Sequence, residues 1–188
     1  MKRDKVIIFG VLRQEDYPLE APIGDESYDV WCMNASWPAE HWDCWFQLHG
    51  IEHMMEAHGI KYIRWLQTVA AYHKSKTVYV FEHELHHFPG AEAFPLPKLI
   101  EEFGDYFTGS FAYLTAFAIL RRYKKIWIDT RGMEGEEWAI PCIEYYIGIA
   151  EERGIVVHVG SNSDLLHRRR GGLYGIGRDR GGNFGELD

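Results

Sequence analysis

The sequence predicts an α/β fold on one mostly parallel sheet, and three observations carry that prediction. Short runs such as Val6-Ile7-Ile8-Phe9, Thr77 to Phe81 and Ile126-Trp127-Ile128 are apolar throughout, as strands covered on both faces are. Longer segments of helical periodicity separate them, which implies crossover connections. The segment Phe111 to Ile119 is apolar almost all round, so it belongs against a sheet and not at the surface. A single Rossmann-like three-layer domain follows.

Each element has its own signals. Val6 to Phe9 reads as a first strand ended by Gly10, and Arg13 to Asp25, with Pro18 and Pro22, as a loop. Tyr28 to Met33 is a second strand, broken by Asn34-Ala35-Ser36-Trp37-Pro38, and Cys44 to Leu48 a third. Ile51 to Tyr72 has helical spacing, divided in two by Gly59. Thr77 to Phe81 is a fourth strand. A loop holding Pro89, Pro95 and Pro97 leads to a short helix near Leu99 to Phe103. Thr108-Gly109-Ser110 opens the buried helix, and Arg121, Arg122, Lys124 and Lys125 crowd its end, where cations suit the helix dipole. After the strand Ile126 to Ile128, a helix over Trp138 to Arg153 stops at Gly154, a C-cap, and Ile155 to Val159 is the last strand. The domain spans residues 1–166. Residues 167–188 are rich in arginine and glycine and poor in apolar residues, which predicts a mobile tail.

Composition narrows the function. The formal charge of −8 argues against general nucleic-acid binding, which needs a basic face, though a local basic site remains open. Seven Trp and eleven Tyr suit either a dense core or a stacking surface, and they are compatible with a homodimer. Cys32, Cys44 and Cys142 lack metal-ligand spacing and sit among apolar neighbours, as buried thiols do. No apolar run approaches the ~20 residues of a membrane helix, no signal peptide precedes the first strand, and a cytoplasmic setting is expected.

The run from Phe107 to Met133 has a small residue, Ser110, two spacers, an aromatic, and an Ala-rich helix ending in Tyr123-Lys124-x-Ile126-x-Ile128. It resembles the sialyltransferase-like superfamily, which includes bacterial sialyltransferases and MptE-like pterin pyrophosphokinases. Small bacteriophage proteins are more similar still. They share Trp31-Cys32-Met33-Asn34, Trp45-Phe46-Gln47-Leu48-His49 and the Gly154-Ile155-Val156-Val157 strand. The resemblance covers about residues 28 to 166 and implies a Rossmann-like fold and a nucleotide-activated donor. Two departures stand out. The Gly-x-Gly-Pro-Ser type loop after the first strand is replaced by Gly10-Val11-Leu12-Arg13-Gln14, and the acidic residue after the later strand by Arg131-Gly132.

In such sheets ligands bind beyond the carboxyl ends of the strands, where the strand order reverses. Gly109 and Ser110 sit at a helix N-terminus, where free N–H groups favour an anion, and the resemblance implies that the matching Ser lies in the donor site. Ser110 is equally a plain N-cap. Asn34, whose family counterpart contacts the nucleotide, either reads a base or ribose edge or makes an Asx-turn. His49, at a strand end, suits a general acid or base, or it satisfies a loop carbonyl. Thr130 and Arg131 follow a strand, and Arg13 can supply charge in place of the missing glycine loop. Glu137 and Trp138 match a Glu-aromatic pair in the phage proteins. The carboxylate there is a base or ribose ligand and the indole a stacking face, or both belong to an acidic first turn.

His83-Glu84-Leu85-His86-His87 matches HExxH, but it leaves a strand directly, meets Pro89 two residues later, and has no third ligand at Ala93. No tightly bound cofactor and no metal are expected. Three functions are consistent with these features: a glycosyltransferase-type, nucleotide-dependent group transferase with a nucleotide or nucleotide-sugar ligand; a phage-encoded nucleotide-binding protein without turnover; and a zinc hydrolase using the HELHH run.

Overall fold

The computed structural model describes residues 3–10, 22, 24–33, 41–73, 75–130, 137–160, 163, 165 and 166. Within them, seven strands form one sheet: β1 (Lys5–Phe9), β2 (Tyr28–Met33), β3 (Cys44–Gln47), β4 (Thr77–Val80), β5 (Glu92–Ala93), β6 (Lys125–Asp129) and β7 (Val156–Val159). Their order is β5-β4-β3-β2-β1-β6-β7, and every pair is parallel. The fold is the Rossmann-like three-layer α/β arrangement that the sequence predicts.

Among the described residues four α-helices accompany it: α1 (Ile51–Tyr72), α2 (Leu96–Phe103), α3 (Ser110–Leu120) and α4 (Ile140–Glu152). The connection through α1 carries the chain from β3 outward to β4. Those through α3 and α4 carry it the opposite way, to β6 and then β7. Right-handed crossovers therefore place α1 on one face and α3 with α4 on the other. The two cores agree. On one side Trp31, Phe46, Ile126 and Ile128 pack with Phe117 of α3 and Ile143 and Tyr146 of α4. On the other, Ile7, Phe9, Cys32, Trp45 and Val80 pack with Met54, Tyr62 and Leu66 of α1.

Local sequence explains the elements. Val6 to Phe9 are wholly buried because β1 is central and covered on both faces. Eight of the eleven α3 residues are buried, as its apolar surface requires. Gly59 interrupts α1 with φ 74° and ψ 175°, so the helix is kinked where the sequence divides it. Some boundaries differ from the sequence reading: α2 begins at Leu96, with Pro97 in its first turn, and α4 at Ile140. The proline-rich loop contributes the two-residue edge strand β5, short enough that propensity does not reveal it. Helix α3 ends at Leu120, with Arg121 as its C-cap, so Lys125 already belongs to β6. The expected tail from residue 167 lies outside the described residues.

Trp31 is the hub of the α3-side core. Its ring centroid lies 4.9 Å from Phe46, 5.3 Å from Phe117 and 5.4 Å from Tyr123. Trp31→Ala should cost about 3–5 kcal/mol in denaturant unfolding, the range for emptying a buried aromatic site. Gly90 sets a second constraint. Its φ is +90°, and a Cβ there would stand 2.5 Å from the Ala70 carbonyl oxygen at the end of α1. Gly90→Ala should therefore lower stability by more than about 1 kcal/mol, measured in the same way, although it adds only a methyl group.

Candidate functional site

All strands are parallel, so every strand points its carboxyl end to one edge, and the helices that follow begin there. The order reverses between β1 and β6, the position at which such sheets form a crevice. Phe9 and Asp129 pair at that point, and the Gly10 amide donates to the Asp129 carbonyl at 3.2 Å.

Asp129 is a residue the sequence reading passed over. It is buried, and its Oδ2 lies 3.9 Å from where a Cβ on Gly160 would sit, just past β7. An acid thus closes β6 itself, two positions before Arg131. The available signal was an acid closing the run Ile126-Trp127-Ile128. Thr130, next along, is buried and shares a 2.6 Å hydrogen bond with the Ser163 hydroxyl, which also accepts from the Leu165 amide at 3.1 Å. Thr130 therefore ties the ends of β6 and β7 together.

Helix α3 opens at the same edge. Gly109 is its N-cap, in extended conformation and with no side-chain cap, and Ser110 is its first helical residue. Ser110 is therefore not the plain N-cap that the sequence allows. The Ala112 and Tyr113 amides bond the Gly109 carbonyl at 3.1 and 3.3 Å, which leaves the first amides of the helix facing outward. Directly before them, Thr108 Oγ1 is closed off from solvent and has no hydrogen-bond partner among the described residues. Gly109 meets the turn entering α4: a Cβ on it would be 3.6 Å from the Ala139 Cβ. The adjacent Trp138 leaves 61% of its surface exposed, unusual for so large an aromatic. The turn that carries Trp138 thus packs against Gly109, the residue before Ser110.

His49 stands elsewhere on this edge. It follows β3 and precedes α1, so it and Ser110 open helices on opposite faces, with no hydrogen bond between them among the described residues. It is half-buried, and its ring lies 4.8 Å from that of His53. Burial, then the neighbouring His53 and His58, lowers its pKa below the ordinary 6.5. Of the other candidates, Arg13, Asn34 and Arg131 lie outside the described residues. Only the backbone of Glu137 is described, in a 3-10 turn over Glu137–Ala139.

The HELHH run forms a 3-10 helix over Glu82–His87. At three residues per turn, positions four apart are about 120° apart, so His83 and His87 do not share a face. Among the described residues no three His, Cys, Asp or Glu side chains converge as metal ligands. Glu84 turns inward instead. Its Oε1 lies 3.3 Å from where a Cβ on Gly50 would sit, at the uncapped N-terminus of α1, where a carboxylate suits the helix dipole.

Compared with protein-family models, curated proteins and solved structures, the chain matches none. The resemblance to sialyltransferase-like proteins therefore rests on the sequence motifs alone.

The shifted His49 has a consequence for stability. Above pH 6.5 it is neutral in both folded and unfolded chains. As pH falls through 6.5 toward the lower folded value, the unfolded chain binds the proton first and stability is lost. His58, also shifted down by burial, acts in the same direction. Urea unfolding at pH 7.5 and 5.5 should show a loss on acidification that is smaller in His49→Gln.

Proposed function

We propose that the chain binds a nucleotide or nucleotide-activated donor at the carboxyl edge of its sheet and transfers a group from it, as glycosyltransferase-type enzymes do. The observation that carries this reading is the opening of α3. Its first amides and Ser110, the first helical residue, stand at a positive dipole end with no side-chain cap and no acid in the first turn. A phosphate supplies what that end lacks. The exposed Trp138, in the turn that packs against Gly109, offers a face on which a base stacks. Asn34, Arg13, Arg131 and Glu137 complete the donor site in this reading, and Thr130 holds its floor.

His49 is the group that takes a proton from the acceptor. Its lowered pKa keeps the imidazole neutral near pH 7, as a base must be. Rate would then derive from positioning and from stabilising the departing phosphate's charge, not from a covalent intermediate. The separation of His49 and Ser110 favours a second reading, in which the chain binds the nucleotide without turning it over.

Ser110→Asp separates binding from folding. An acid in the first turn of a helix is favourable to the helix, yet it sets a fixed negative charge against a phosphate. Calorimetry with cytidine and uridine nucleotides should show binding to the wild type and at least about tenfold weaker binding to the variant, with melting temperature preserved. Equal affinity removes Ser110 from the site. Hydrolysis or transfer of a nucleotide-sugar by the wild type then distinguishes the enzyme from the binder.

A further inference from the structure

A cavity of about 410 Å3 opens at the other edge of the sheet, where the strands begin and α3 and α4 end. Ile119, Leu120, Tyr123 and Ile155 give it apolar walls, and Arg122, Lys124 and Arg153 stand around it with one carboxylate, Glu102. Its size lies in the range of small-molecule sites. The Tyr123 wall is fixed: its ring is buried and its hydroxyl donates to Asp29.

The two helices end alike. In α4 the Ile155 amide bonds the Ala150 carbonyl and the Gly154 amide bonds that of Glu151, both at 2.9 Å, with Gly154 at φ +75°. In α3 the Tyr123 amide bonds the Ala118 carbonyl at 3.2 Å and the Arg122 amide that of Ile119 at 2.9 Å. Both are Schellman caps, which call for glycine at the left-handed position. In α4 that residue is glycine. In α3 it is Arg122, at φ +61°.

Neutralising the helix dipole does not account for this arginine. Arg121, one residue earlier, already places a cation at the end of α3 in relaxed helical geometry. The other cations at the cavity have partners: Arg153 pairs with Glu102 at 2.9 Å and Lys124 with Asp4 at 3.3 Å. Among the described residues the Arg122 guanidinium has none. A strained backbone that carries an unpaired cation at the lining of a cavity is the kind of outlier that marks a ligand contact.

We propose that this cavity is a second small-molecule site, separate from the carboxyl edge, and that it takes a phosphate monoester with a flat apolar body. Arg122 meets the phosphate in a forked, charge-assisted contact while Lys124 and Arg153 add positive field. The body lies against Leu120 and Ile155.

Arg122→Gly tests the assignment cleanly, because glycine is the residue the cap prefers. The variant should melt at or above the wild-type temperature. Phenyl phosphate, titrated by calorimetry at low salt, should bind the wild type saturably and the variant about tenfold more weakly or not at all. Inorganic phosphate should bind the wild type more weakly than phenyl phosphate, since it leaves the apolar walls unused. The proposal is overturned by any of three results: no saturable binding to the wild type, equal affinity for both proteins, or inorganic phosphate binding as tightly as its phenyl ester. Titrating both proteins in the Ser110→Asp background, where a fixed negative charge opposes phosphate at the opposite edge, keeps these outcomes independent of the donor site.

Discussion

An all-parallel sheet dictates the rest of this molecule. Parallel neighbours cannot be joined by a tight turn, so each connection must cross a face of the sheet, and crossovers take one hand. In the order β5-β4-β3-β2-β1-β6-β7 the chain builds outward from β1 on one side and then returns to the other. That reversal assigns α1 to one face and α3 and α4 to the opposite one. It also buries β1 from both sides, and Val6 to Phe9 accordingly have no accessible surface.

The faces are filled differently. On the α3 side aromatic rings interlock with few polar atoms, and Trp31, Phe46, Tyr79, Phe94 and Phe117 lie within 4.9 to 6.2 Å of one another in successive pairs. On the α1 side a polar chain runs through the core: Trp45 Nε1 donates to the Tyr62 hydroxyl at 3.1 Å, and that hydroxyl donates to Gln47 Oε1. Burial raises the Tyr62 pKa, so it stays a neutral donor. A buried network of this kind holds one packing of α1 against β3 in preference to neighbouring registers.

Strand direction also gives the two edges opposite electrostatic character. Helix N-termini gather at the carboxyl edge, where uncapped Gly50 and Gly109 open α1 and α3. One of these ends is answered from within, by the inward carboxylate of Glu84. The other has no acid in its first turn. At the amino edge the helix C-termini gather, and Arg121, Arg122, Lys124 and Arg153 stand among them. The protein is acidic overall, so these cations are a local concentration and not a general basic face.

Much of this was readable along the chain, because burial on both faces leaves an unmistakable record. Apolar runs such as Val6 to Phe9 can serve only as covered strands, and the all-round apolar surface of α3 only as a helix against a sheet. Gly59 and Gly154 mark a kink and a cap because no other residue takes their backbone angles cheaply. Residues just past strands, such as Thr130 and His49, could be named because strand direction makes those positions face one edge. What sequence could not supply was which of them meet. Thr130 and Ser163 are 33 positions apart and share a hydrogen bond, while His49 and Ser110 open helices on opposite faces. Asp129 reads locally as an ordinary strand end, and only the pairing of β6 with β1 puts it at the reversal point. The HELHH run shows the same limit. Its spacing is a helical pattern on paper, but between β4 and β5 the run winds at three residues per turn. Local sequence determines which shapes each segment can take, whereas strand order, a property of the whole chain, decides which side chains share a site.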